Sequence, residues 1–263
     1  VSDGRYTLCT YRPYSVHIVP KAPENSELKT IRSIERAMDV LACFDPQTPQ
    51  QSVTELQKRT ELSRPTLYRI LATLQGKGVI RSFGNPQRFE LGHEATRLAA
   101  NWIGQDDFIR AAGPALRGLW EKTGETVALF VATDDGMKIC IEEIRSQQPL
   151  TFTRGIGLRE DLEVGASGKA ILAFMEDGKT DPDLDDVRRN GVRISEGEVI
   201  DGAVAIAAPV FARDGNVKAS VCLFGPEVRM ADQGRRSASV ELVRAASEEI
   251  SHALGYFPAH AAE

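Results

Sequence analysis

Carboxylates are missing from one stretch of this chain. Asp and Glu supply 37 of its 263 residues, a frequency at which the 28 residues from Leu62 to Phe89 would hold about four, yet they hold none. The window carries Arg64, Arg69, Lys77, Arg81 and Arg88 instead. Such a face does not repel a phosphate backbone, and each Arg on it can release condensed counterions. The four cysteines, Cys9, Cys43, Cys140 and Cys222, form no C-x-x-C pair, which leaves a zinc site or redox pair without support. Dispersed single cysteines fit a reducing cytosol. No apolar run approaches the ~18 residues that a membrane span requires. The first residues lack a signal-peptide apolar core, and a cytoplasmic protein is expected.

Catalytic patterns are also absent. Gly165-Ala166-Ser167-Gly168 lacks the second glycine of a G-x-S-x-G elbow. Ser167-Gly168-Lys169 is not S-x-x-K, and Gly155 and Gly157 lack the phosphate-loop spacing. The histidines are His17, His93, His252 and His260, none of them an obvious base beside Ser167. No enzyme, cofactor or metal is expected.

What is present divides the chain. Its net charge is −5, but residues 27–92 set ten Lys and Arg against seven Asp and Glu, a charge of +3. Residues 1–26 add +1, so the remainder carries −9. A basic first part joined to an acidic second part suggests two jobs. Residues 1–26 begin with Val, show no periodicity and are expected to form a flexible leader. Ile31, Ile34, Met38, Leu41 and Ala42 recur at helical spacing, predicting a first helix from about Lys29 to Phe44. Ser52-Val53-Thr54-Glu55 is a capping box for a second helix. Ser63 is the expected N-cap of a third, with Pro65 in its first turn. Leu67, Ile70, Leu71 and Leu74 form its inward stripe. Val79–Phe83 and Arg88–Leu91 read as strands around a turn, a basic hairpin wing. A linker helix is expected over 93–105.

Beyond residue 106 the pattern alternates strands and helices. Strands are expected at Thr126–Thr133, Met137–Ile144, Leu150–Arg154, Val192–Ser195, Ala203–Phe211 and Val217–Phe224. Helices are expected at Phe108–Thr123, Ser167–Met175, Leu184–Asn190 and Asp232–Leu254. The class is α+β with two domains.

Two capped helices separated by about three residues, then a basic hairpin, define a winged helix-turn-helix whose second helix enters the major groove by its N-terminus. The outward residues there are Arg64, Pro65, Thr66, Tyr68, Arg69 and Thr73, and Ser63 at the helix start joins the first five as expected DNA contacts. Arg64 is the expected base reader, since a guanidinium can grip guanine O6 and N7. Thr66 and Tyr68 suit phosphate or a thymine methyl. Arg69 suits either role, or an ion pair with Glu55 or Glu61. Arg81 and Arg88 suit phosphate or the minor groove.

These residues resemble the IclR family of bacterial transcription regulators. Ser33–Leu41 resembles its opening helix, Leu62–Leu74 its recognition helix and Arg88–Gly92 its wing. Ala166–Ala173 resembles its Ser-Gly-Lys-Ala segment, while Ala205–Phe211 and Phe224-Gly225-Pro226 resemble its last sheet strands. The resemblance implies a dimer or tetramer on a pseudo-palindromic operator of double-stranded DNA. It implies a GAF/profilin-like antiparallel sheet with flanking helices over 106–263, binding a small-molecule effector, an organic or aromatic acid. Carried across, the effector residues are Ala166, Ser167, Ser195, Ala205, Cys222 and Phe224, with Arg154 as an anion partner. Ala205 stands where Cys is often found, Ser195 where one relative has an acid, and Phe224 where Ser can occur, which implies a larger, more apolar pocket. The helix start at Ala166–Lys169 would suit a carboxylate. Plain core packing accounts for Ala205, Cys222 and Phe224 equally well. A winged-helix regulator of another family, a GAF-domain enzyme and an interaction module stay open as alternatives.

Overall fold

A computed structural model describes residues 6–8, 18–20, 30–45, 48–105, 107–175 and 181–257. Most of the expected leader, with Cys9 and His17, lies outside the described residues, as does His260. Within the leader, β1 (Tyr6–Leu8) and β2 (Ile18–Pro20) pair antiparallel.

Three helices and a small sheet follow. Helix α1 spans Arg32–Ala42. Strand β3 (Gln51–Ser52) leads into α2 (Val53–Thr60). The capping box forms as the sequence dictates: the Glu55 amide donates to Ser52 Oγ at 3.2 Å, and the Ser52 amide donates to Glu55 Oε2 at 2.6 Å. Glu61 ends α2 in the left-handed conformation, with φ 54°. After Glu61-Leu62-Ser63 the chain enters α3 (Arg64–Gly76), with Pro65 in the first turn. Strands β4 (Ile80–Phe83) and β5 (Arg88–Leu91) make the wing, and β3 joins the free edge of β5. Val40, Cys43, Phe44, Leu56, Leu67, Leu71, Ile80 and Phe89 form the buried core of this part.

The apolar stripe of α1 is mostly uncovered: Ile31, Ile34, Met38 and Ala42 are exposed, Met38 by 59%, and of the five only Leu41 packs against this core, beside the buried Val40, which lies outside the stripe. Ile34, Met38 and Leu41 border a groove shared with Thr66, Arg69, Ile70, Thr73 and Leu74 of α3.

Helix α4 (His93–Gln105) precedes α5 (Asp107–Thr123). Next come β6 (Thr126–Ala132), β7 (Met137–Ile144), β8 (Arg159–Asp161), α6 (Gly165–Leu172), α7 (Pro182–Asn190), β9 (Arg193–Glu196), β10 (Ala203–Phe211) and β11 (Val217–Pro226). A short α8 (Glu227–Met230), not anticipated from the sequence, leads into α9 (Gln233–Ala253). The six-stranded antiparallel sheet runs β8-β7-β6-β11-β10-β9. One face packs on α5 and α9 through Leu116, Leu129, Ile206, Leu223, Val243 and Ile250. The other packs on α6 through Ala128, Phe130, Cys140, Ala166, Ala170, Ala207, Cys222 and Phe224. Strand alternation sorts the two sets.

The strand expected at Leu150–Arg154 is absent. Side chains of other elements take its backbone groups: Glu143 Oε2 accepts from the Arg154 and Gly155 amides at 2.6 and 2.9 Å, and Thr126 Oγ1 donates to the Phe152 carbonyl at 2.8 Å. With those groups satisfied, no ladder forms until β8. Among the described residues, no helix is long and apolar enough to cross a membrane.

Candidate DNA interface and small-molecule cavity

At the start of α3, Ser63, Arg64, Pro65, Tyr68 and Arg69 are exposed, and Thr66 is half-buried. Ser63 occupies the N-cap position, but its side chain does not cap. Its hydroxyl instead meets the Thr66 hydroxyl at 2.9 Å. Pro65 has no amide hydrogen, so the Arg64 and Thr66 amides are those left free at the positive end of the helix, an arrangement that favours a phosphate oxygen. Among the described residues, neither Arg64 nor Arg69 has a carboxylate partner. Glu55, one candidate mate for Arg69, is engaged elsewhere.

The wing differs from α3. Arg81 Nε donates to Glu90 Oε1 at 2.5 Å from the directly paired position on β5. Arg88 Nη2 donates to the Gln50 carbonyl at 2.8 Å and to Glu55 Oε2 at 3.2 Å. Hydrogen bonds from the Ser52 amide and hydroxyl hold the Glu55 carboxyl below the usual carboxylate range, and Arg88 adds to that. The two wing arginines thus carry internal counter-ions that the linear sequence hides: one pairs across two strands, the other across 33 positions.

The second site lies between α6 and the sheet. Register aligns Ser195 with Ala205, and Ala205 with Phe224, in one cross-strand row. Cys222 stands in the next row, opposite Ala207. Ala166 and Ser167 of α6 cover these rows, and Arg154 reaches in from the loop before β8. All seven sequence-expected effector residues line one cavity of about 40 Å³, together with Phe130, Glu160, Gly165, Glu198, Val199, Ile200 and Ala203. The small Ala205 does not open a large hollow, because the rings of Phe224 and Phe130 fill the space beside it.

The start of α6 is already occupied. The Gly165 amide donates to Glu198 Oε1 at 3.1 Å and the Ala166 amide to Ser195 Oγ at 3.2 Å. Lys169 Nζ stands 2.7 Å from the same Glu198 oxygen. Burial raises the Glu198 pKa, but the Lys169 and Gly165 hydrogen bonds outweigh it and hold the carboxyl low. A carboxylate of this chain thus takes the place the sequence suggested for a ligand's.

Three residues missed from the sequence matter here: Glu160, Glu198 and Lys138. Arg154, with 11% of its side chain exposed, forms an ion pair with Glu160. Lys138 has 1% exposed; its Nζ donates to the Val164 carbonyl and lies 3.8 Å from Glu160 Oε2. Burial, and then the Arg154 charge, lowers the Lys138 amine to about 8. Burial pushes the Cys140 and Cys222 thiols up to about 12, so both stay neutral. The signal for Lys138 was its place in Met137-Lys138-Ile139-Cys140-Ile141, where Lys138 and Cys140 share a face and Ile139 and Ile141 the other. With apolar residues on both faces, alternation alone does not reveal that each is covered.

Comparison with known proteins places this geometry. Residues 33–82 match the IclR helix-turn-helix domain, and residues 100–183 and 179–252 match the bacterial transcriptional regulator IclR C-terminal domain. The chain is 28% identical to the HTH-type transcriptional regulator BhcR of Paracoccus denitrificans, over 85% of this chain and 88% of that one. The fold superposes on an IclR transcriptional regulator from Alicyclobacillus acidocaldarius with a TM-score of 0.74 at 21% identity, covering 86% and 100% of the two chains. It also superposes on an IclR homolog complexed with 4-hydroxybenzoate from Microbacterium hydrocarbonoxydans, with a TM-score of 0.71 at 19% identity, covering 84% and 98%. With both domains matched in order along most of its length, the chain belongs to the IclR family of bacterial transcriptional regulators.

Proposed function

We propose that the protein grips a promoter operator with the start of α3 and the wing, and that a small organic acid in the cavity under α6 decides when it does so. The observation that carries the DNA part is the uncapped start of α3 flanked by Arg64 and Arg69, two guanidiniums with no carboxylate partner among the described residues. In this reading the head is 27–92, the linker 93–105 and the effector part 106–263, in a cytoplasmic protein. Arg64 reads a base edge; Ser63, Pro65, Thr66, Tyr68 and Arg69 line the groove. Arg81 and Arg88 flank the phosphates while keeping their internal partners. Arg64→Ala is expected to relax base preference at one operator position, by about 1–3 kcal/mol. Competition gel shifts with single-base operator variants measure this, and an unaltered preference would remove Arg64 from the reading face.

The effector is held by Ala166, Ser167, Ser195, Ala205, Cys222 and Phe224, with its carboxylate toward Arg154. The Microbacterium relative makes an aromatic acid one test ligand. Two- to four-carbon acids are the other, and a thermal-shift screen compares them.

A homodimer or homotetramer completes the proposal. Ile31, Ile34 and Met38 expose an apolar face on α1, where Ile34 and Met38 border a groove shared with α3, and a second copy covers it, setting the spacing between two reading heads. Met38→Asp is expected to shift the protein to a smaller species in sedimentation and to weaken operator binding at least tenfold. Unchanged sedimentation would place the subunit contact elsewhere.

A further inference from the structure

The cavity under α6 is shut. Its volume is about 40 Å³, whereas pockets that hold a small molecule run from roughly 300 to 1,000 Å³, so one wall must move before anything enters. The sheet and α6 cannot part without exposing core. Phe130, Cys222 and Phe224 belong to the buried cluster between them, and Ala166 packs into it from the helix. The remaining wall includes Glu198, Val199 and Ile200, from the turn between β9 and β10. Val199 and Ile200 belong to no core cluster among the described residues, and Val199 is 40% exposed.

Glycines bound this turn. Gly197 and Gly202 both sit in the left-handed region, with φ of 63° and 72°, where glycine is unstrained. Hinges are a few such loop positions that absorb a change of φ and ψ. The base of the turn is fixed: the Gly197 amide donates to the Ala203 carbonyl, and the Glu227 amide to the Gly202 carbonyl, each at 2.8 Å. Between those points the Ala203 amide donates back to the Ile200 carbonyl. Apart from that bond, among the described residues, only Glu198 of 198–201 makes a hydrogen bond or an ion pair: it takes the Gly165 amide and Lys169 Nζ, both on α6. Val199 lies over the same spot. A Cβ on Gly165 would stand 2.7 Å from Val199 Cγ2, so the absent side chain lets the turn close against the helix.

We propose that residues 197–202 are a strap that gates the cavity, and that the Glu198 carboxylate is the latch that holds it closed on α6. Release strands no charge. Lys169 Nζ also lies 3.3 Å from Asp183 Oδ2 on α7 and keeps that partner. Glu198, with 28% of its side chain already exposed, turns to water. A surface segment with so few buried contacts opens at far less cost than the domain unfolds. The strap controls access whatever molecule enters, and lifting it uncovers Cys222, which is 3% exposed when the strap is down.

The test labels the cysteines of the full-length, ligand-free protein with N-ethylmaleimide and reads each site by mass spectrometry. Cys222 lines the cavity; Cys140, in the same core cluster, does not. The two are otherwise alike, 3% and 0% exposed, each thiol pushed up to about 12 by burial. In the wild type Cys222 is expected to react at least about tenfold faster than Cys140, because strap opening uncovers it while only larger unfolding reaches Cys140. Glu198→Gln keeps the shape and removes the charge. It is expected to speed Cys222 about tenfold more, through loss of a charge-assisted contact, and to leave Cys140 and Cys43 unchanged. Equal rates at Cys222 and Cys140 in the wild type would overturn the strap. An unchanged Cys222 rate in Glu198→Gln would overturn the latch. So would a parallel rise at all three cysteines, since Glu198 would then hold the domain together and not the strap. No ligand is added, so each of these outcomes is separate from the effector reading.

Discussion

Gly168→Ala is expected to destabilise the C-terminal domain by about 3 kcal/mol or more. A Cβ at this position would stand 2.0 Å from the Leu162 carbonyl oxygen and 2.8 Å from its carbon. Those are backbone atoms, so no rotamer change relieves the clash. Either α6 lifts from the sheet or the segment carrying β8 moves away. Both outcomes reach the cavity, because α6 supplies Ala166 and Ser167, and Glu160 lies on that segment. Ser220 Oγ also donates to the Ser167 carbonyl at 2.8 Å, so lifting α6 breaks a buried hydrogen bond. Denaturant unfolding, followed through the fluorescence of Trp102 and Trp120 together, measures the loss. A midpoint within error of the wild type would show that the 162–168 turn yields more easily than its packing indicates. This close approach also explains why Gly follows Ser in Ser167-Gly168-Lys169: the helix can lie against the preceding segment only where a side chain is lacking.

Glu125→Ala should have a loss of similar size, about 3–5 kcal/mol, the usual penalty for deleting one partner of a buried ion pair. The Glu125 side chain is 1% exposed. It receives two parallel hydrogen bonds of 2.6 Å from Arg229 on α8 and a third of 3.2 Å from Arg235 on α9. The fork geometry makes this the strong kind of ion pair, and deletion leaves Arg229 with its donors unmet. Arg235 is nearly half exposed and can turn to water, which keeps the loss toward the lower end. Glu125→Gln retains the shape and should recover part of it. Thermal unfolding of the two variants side by side decides the matter. Equal, small losses for both would mean that the pair contributes geometry and little stability.

Much of the N-terminal part is legible in the sequence because its signals are local. The Ser52/Glu55 box, Pro65 in the first turn of α3 and the Leu67/Leu71 stripe each fix a feature within a few residues of themselves. The stripe on α1 is the exception. An apolar face records that something covers it, not what, and Ile31, Ile34 and Met38 leave this chain's own core uncovered. In the C-terminal part the positions of β6, β7, β9, β10 and β11 follow from alternation, whereas Ser195, Ala205 and Phe224 are named by the family resemblance and only the register sets them in one row. The missing strand near Leu150–Arg154 does not follow from alternation, since only the fold brings Glu143 and Thr126 to that backbone. Lys138 was hidden for a related reason: a lysine in a short strand reads as solvent-facing until β8 and α6 are laid over it.

Glu55 closes the cap of α2 and also holds Arg88 of the wing. One side chain thus joins two elements that are 33 positions apart in the chain. Fixing a long side chain at the moment of association costs roughly 0.5–1.5 kcal/mol in lost freedom. Arg88 has surrendered that freedom during folding, so the wing arrives with its shape already set.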